Sequence, residues 1–323
     1  GDLVAQLNTT NVTVSTTSGL GDPGDIDVNN NVAWNSANTL TLDADNDINV
    51  TVGVTIANDG TGGVVFEADN DVNLNGVISL NGGSFTAGVI GGTAIGGNFV
   101  RSATGVITTN GGAVEIATDG SVTISGAITN SGAVDIEGDT GINLGADIST
   151  NNGNVRLRDA VTMTGNSTVG TSAGAGDIQF DSTVDGAFDL VVNAGSGAGG
   201  GSVTMTGAVG TVGADLASLS VTGSTINLAS IGDGATGVTG NTTVTAGTAL
   251  NLTGTAYNSD GSQSYNGGGN TINLTNAGGA TFTTSGDAIS FSNNGNIALT
   301  GDLTVAVSSG TVTVDGNITG NGA

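Results

Sequence analysis

The chain reads as an all-β protein, a solenoid of parallel β-strands (a parallel β-helix) with coils of about 20–24 residues. Three observations carry that reading. Short apolar–polar alternations recur at intervals of about twenty residues, Gly, Asn and Asp punctuate them, and the composition suits a narrow core better than a wide one. Period-two alternation buries one face of a strand, and repetition at this interval is the mark of stacked coils. With 59 Gly and 3% aromatic residues among 323, few side chains could fill a broad globule. Columns of Val, Ile, Leu and Ala could fill a slender one. The regular placement of apolar residues, at 37% of the chain, argues against a disordered low-complexity segment.

The clearest coil runs through Ala113-Val114-Glu115-Ile116-Ala117, Ser121-Val122-Thr123-Ile124-Ser125 and Gly126-Ala127-Ile128-Thr129. The pattern restarts at Ala133-Val134-Asp135-Ile136-Glu137 and again at Asn154-Val155-Arg156-Leu157-Arg158. Each restart reads as one coil with about three short strands, so Val114, Val134 and Val155 should stand in one column. Nearer the start, Leu40 to Val50 and Val64 to Leu74 share Ala-Asp-Asn-Asp within the same alternation. Gly, Asn and Asp tolerate the left-handed backbone that tight corners need. The first forty residues read as strand and turn, with the sole proline in a loop from Gly19 to Gly24. Helical periodicity is not visible, and neither end shows a capping segment. Residues 1–323 are therefore expected to form a single continuous β-helix segment, a piece of a longer rod. It should be looser or loop-bearing around 82–112, 165–177, 194–202 and 257–269. The last of these holds both tyrosines, Tyr257 and Tyr265.

Charge excludes several function classes. Three basic residues, Arg101, Arg156 and Arg158, face 28 acids, giving a net charge of −25. Such a surface repels phosphate backbones and anionic lipid, so neither nucleic acid nor membrane insertion is expected. There is no cysteine and no histidine, which removes disulfides, thiolate sites and histidine-based triads. No apolar run approaches the length of a membrane-spanning helix.

The stretch from Leu3-Val4-Ala5-Gln6-Leu7 through Val12-Thr13-Val14, Asp25-Ile26-Asp27-Val28, Trp34 and Leu40-Thr41-Leu42 to the Asp47–Val50 and Asp71–Leu74 pair resembles a known bacterial family. So does Gly176-Asp177-Ile178-Gln179-Phe180 with Thr183 to Leu190, Leu216-Ala217-Ser218-Leu219 and Gln263-Ser264-Tyr265. The resemblance is to filamentous-haemagglutinin-type exoproteins and β-strand-repeat giant adhesins. It implies a right-handed parallel β-helix, secreted to the bacterial cell surface or beyond, that serves adhesion, aggregation or extracellular matrix. Expected partners are a host or neighbouring cell surface, glycans or matrix. A second reading is a filament subunit that joins head to tail through its end coils.

An enzyme is not expected, although some parallel β-helices cleave polysaccharides. A lyase needs a base and cations that this chain lacks, and carboxylates at turns are ordinarily solvated corners. No cofactor is expected, with calcium as the one chemical hypothesis. Asp43, Asp45 and Asp47 would lie beneath Glu67, Asp69 and Asp71 at a spacing of 24, and hard cations want several carboxylate oxygens together. The alternative for these acids is a turn held by Asx hydrogen bonds. Arg156 and Arg158, on alternate positions of one strand, should pair with Asp135 and Glu137 of the coil below as a surface ladder. Trp34, Tyr257 and Tyr265 are candidate sugar-stacking residues, against the plainer reading that they plug coil corners.

Overall fold

The computed structural model describes residues 2–17, 19, 23–172, 174–197, 199–211, 213–232, 236–292 and 296–320. Leu20, Gly21 and Asp22, at the centre of the expected proline loop, lie outside them. Nearly every element is a strand of three to five residues, and every strand pairing between coils is parallel. The chain packs as two compact units, 1–159 and 160–323, and each is a β-solenoid whose coils carry three walls.

In the first unit one wall stacks Leu40–Ala44, Val64–Ala68, Phe85–Ala87, Val114–Thr118, Val134–Gly138 and Val155–Leu157. The expected column is present, with Val114 paired to Val134 and Val134 to Val155. A second column runs beside it through Ile116, Ile136 and Leu157. The next wall aligns Ile48, Val72, Phe99, Val122 and Ile142, and the third aligns Ile56, Ile78, Ile107 and Ile128. All these residues are buried. Each side chain removed from water contributes roughly 1.5–3 kcal/mol, so repetition replaces the large residues that a globule would need. Three rings cluster in this core: Phe66 and Phe85 meet edge to face at 5.3 Å, and Phe99 lies 6.3 Å from Phe85.

Glycine is obligatory at one corner, where the third wall turns into the first. Gly83, Gly112, Gly132 and Gly153 succeed one another there, and a Cβ on any of them would run into the backbone of the coil beneath. The side-chain-free column lets successive coils approach to ordinary strand spacing.

The start of the unit departs from expectation. Asp2–Leu7 is a helix, not the strand that its apolar residues suggested. Leu3 and Leu7, four apart, share one helical face. Leu7 is fully buried, and its carbonyl accepts hydrogen bonds from Ser36 Oγ at 2.7 Å and Asn38 Nδ2 at 2.8 Å. The helix thereby caps the first coil and supplies partners for the orphan carbonyls at its own end. The 82–112 region keeps its three strands, with an excursion between Gly88 and Ile95 that returns to the ladder at the Ile95–Thr118 bridge.

The second unit has columns of its own, with Ile178, Val203, Ile226, Leu250, Ile272 and Ile297 on one wall. Val184, Val209, Ile231, Tyr257, Phe282 and Val305 follow one another on another. Ser218–Leu228 and Thr242–Leu252 are eleven-residue strands that pass from one wall to the next, with a register shift between Gly223 and Thr225. One expected loop is shortened and one is corrected here. Ser167–Gly170, inside the 165–177 segment, is a strand in register with Leu190–Asn193. The 257–269 segment is no polar loop: Ala256–Ser259 and Gln263–Asn266 are strands that point both tyrosines into the core.

Candidate functional site

The acidic turns of the first unit lie one above another, as the spacing of 24 requires, and Asp43 pairs directly with Glu67. Asp25, Asp47 and Asp71 turn an oxygen to the amides of the next turn. Asp25 Oδ1 accepts from Asn46 Nδ2 at 2.6 Å, and Asp47 Oδ1 accepts from the Asp71 amide at 3.0 Å and Asn70 Nδ2 at 2.8 Å. Asp71 Oδ1 in turn accepts from the Asn98 amide at 2.6 Å, and Asn98 Oδ1 from the Ser121 amide at 3.0 Å. Each carboxylate or amide thus ties the next turn to its own, an Asx ladder repeated at coil spacing. Asp43, Asp45, Glu67 and Asp69 point outward and are exposed. Among the described residues no three acids gather as a metal-ion cage. A parallel ladder of amides runs Asp27–Asn49–Asn73, with both Nδ2···Oδ1 distances at 3.0 Å.

The basic pair forms its ladder with a diagonal twist. Arg156 stands in register with Asp135. Arg158 nevertheless makes the bidentate contact, Nε to Asp135 Oδ1 at 2.7 Å and Nη2 to Oδ2 at 2.8 Å. Glu137 lies 3.8 Å from the same Nε. The group is half-exposed and sits on an outward face, as a surface ladder should.

Arg101 is the residue that charge-based reasoning missed. It occupies the inward column between Leu74 and Ile124 and is fully buried. Its Nη2 donates to the carbonyls of Gly105 and Ala127, the latter at 2.7 Å, while Nε and Nη1 find no partner. Gly126 leaves room for the guanidinium, since a Cβ there would stand 2.7 Å from Nη2. Burial pulls this guanidinium down from its ordinary range to about 9, so at neutral pH it is a charge inside the core held by carbonyl dipoles alone.

In the second unit the sugar-stacking expectation is overturned, because Tyr257 and Tyr265 are fully buried; in the first unit Trp34 is 4% exposed. Tyr257 stacks on Phe282 at 4.7 Å, Tyr265 on Phe291 at 5.5 Å, and the two pairs meet edge to face. Tyr265 Oη donates to Gln263 Oε1 at 2.9 Å, and Gln263 Nε2 donates to the Tyr257 and Thr283 carbonyls. Burial raises both phenols. These four rings and Trp34 are closed to a ligand; they plug the core.

Outside this core lies an open groove of about 410 Å³ lined by Thr236, Asn258, Asp260, Thr281, Thr283 and Ser285 among others. Thr236 and Ser285 hydroxyls both donate to Asp260. Burial and then the charge of Asp260 raise the Asp215 carboxyl, whose Oδ1 is buried without a hydrogen-bond partner. The ionisable groups named here are two carboxylates, set among hydroxyls, in a chain with no histidine or lysine. No helix of the described residues is long and apolar enough to cross a membrane. No family model matches the chain, and neither a curated protein nor a solved structure matches it.

Proposed function

We propose that this chain is a structural and adhesive segment of a secreted bacterial surface protein, and that its mechanism is mechanical. The observation that carries the reading is that, within each unit, each coil builds on the one before it. Aliphatic columns fill the inside of both units, while Asp, Asn and Thr ladders tie the outer turns. Stiffness follows from that construction, since bending a stack must break several parallel ladders together. The polar outer walls would then be free to meet glycans, matrix or a neighbouring cell. An acidic, cysteine-free composition suits an extracellular setting.

The same features favour a binding or spacer role over catalysis. Asp25, Asp47 and Asp71 of the first unit are spent on the next turn and Asp135 on Arg158, while Asp43, Asp45, Glu67 and Asp69 point outward as solvated corners. The helix over the first coil weighs against head-to-tail filament growth, which needs that coil open. Beads coated with the purified chain test the proposal against matrix proteins, immobilised glycans and bacterial cells. Adhesion above that of uncoated beads, with no reducing-end or unsaturated product released from acidic glycans, is the expected result. Product release, or beads that adhere to none of these surfaces, would overturn it.

A further inference from the structure

The open groove of the 160–323 unit uses its polar side chains differently from the wall beside it. On that wall Asn273 Nδ2 donates to Asn251 Oδ1 at 2.8 Å, and Asn251 Nδ2 to Asn227 Oδ1 at 2.7 Å. Those amides are spent on holding coil to coil. In the groove, the hydroxyls of Thr255, Thr281 and Thr283 have no partner among the described residues. Asp260 takes the Thr236 and Ser285 hydroxyls on Oδ1 alone, which leaves Oδ2 for a ligand.

The floor is small and rigid. Ala256 pairs in register with Thr281, and its short side chain deepens the trough. The same two strands send Tyr257 and Phe282 inward, where the rings stack at 4.7 Å. A wall fixed in this way loses little freedom when a ligand binds. Hydroxyls interleaved with methyl groups complement a sugar, which offers hydroxyls at its edge and C–H groups on its faces.

Charge narrows the class. No lysine, arginine or histidine occurs between 160 and 323, so no cationic side chain of this unit offsets Asp260. An anionic glycan would be repelled, whereas a protonated amine would gain a charge-assisted hydrogen bond. The net charge of −25 adds attraction at long range. We propose that the groove binds a glycan of amino sugars with free amines, one amine on Asp260 Oδ2 and sugar hydroxyls on Thr281 and Thr283. The inference rests on the adhesive reading and names a ligand class for it.

Titration calorimetry on the 323-residue chain, at mildly acidic pH, tests it with hexasaccharides of glucosamine, N-acetylglucosamine and galacturonate. The glucosamine hexamer should bind with one per chain, its acetylated counterpart about tenfold more weakly, and galacturonate not at all. Asp260→Asn keeps an acceptor for both hydroxyls but removes the charge, and should weaken binding about tenfold. Thr281→Val with Thr283→Val preserves shape and charge and should weaken it about fivefold. Asp43→Asn, an equal change of charge at an exposed residue of the first unit, should leave it unaltered. Equal affinity for the free and acetylated hexamers, equal loss in the Asp43 variant, or full binding by the threonine variant would each overturn the proposal. So would the absence of binding, and beads that still adhere to surfaces free of amino sugar would then leave the adhesive reading standing.

Discussion

Arg158 grips Asp135 through two nitrogens, at 2.7 and 2.8 Å, although the residue in register with Asp135 is Arg156. The longer diagonal reach lets one guanidinium lie between two carboxylates, with Glu137 at 3.8 Å. About a quarter of the Arg158 side chain and a third of Asp135 remain exposed, so water screens the pair. Asp135→Asn should therefore cost less than about 1 kcal/mol in denaturant unfolding, and the cost should shrink further in high salt. A loss well above 2 kcal/mol would mean that the contact is structural.

Arg101 makes the opposite case. Arg101→Met keeps the volume and removes a buried charge, so stability should stay within about 1 kcal/mol of the parent. Arg101→Ala leaves a cavity and strips the Gly105 and Ala127 carbonyls of their donor, and should cost about 3 kcal/mol. Chemical denaturation compares the two. Equal losses would contradict a guanidinium accommodated mainly by packing.

Alkaline pH separates the tyrosines from the rest. Both phenols ionise less readily folded than unfolded, so the unfolded chain releases their protons first. Their stabilising contribution is complete below pH ~10, the unfolded value, and is lost as pH climbs above it. Arg101, lowered to about 9, contributes in the other direction over the same range. The Tyr265→Phe variant should lose less stability than the parent between pH 9 and 11. Parallel pH profiles for the two would refute the assignment.

Calcium should have no effect on the thermal midpoint at millimolar concentration. Asp47 and Asp71 are engaged with the next turn through Oδ1, while Asp43, Asp45, Glu67 and Asp69 face water. Recruiting Asp47 and Asp71 would break the ladder, and the other four lie outside any cluster of three acids among the described residues. A clear rise in the midpoint would restore the calcium hypothesis for these six acids.

The coils, their walls and the Val114–Val134–Val155 column were legible because alternation and repeat length act together: a slip of one residue would turn every column outward. The ladder of Asp135 and Arg158 was legible for the same reason. Arg101 was legible in principle, since Phe99-Val100-Arg101 places it in phase with Phe99, but its charge argued for the surface. The tyrosines were obscured by the Ser, Asn and Gly around them, which is local polarity on outward positions and corners. The opening helix was hidden by its brevity, for Leu3 and Leu7 fit a strand or one turn of helix equally. Docking onto the first coil decided between them, and that is a tertiary effect.

Vertical register is the claim on which all else depends, and a cysteine pair measures it in a chain with no cysteine of its own. Thr123 and Asn143 are outward partners on adjacent coils, at the spacing of neighbouring strands, roughly 4.8 Å. The double variant Thr123→Cys with Asn143→Cys should oxidise to a disulfide within one chain. Ser121→Cys with Asn143→Cys, displaced two residues along the strand to about 8 Å, lies beyond disulfide reach and should retain free thiols. Free thiols in the first pair together with a bond in the second would contradict the stacked columns.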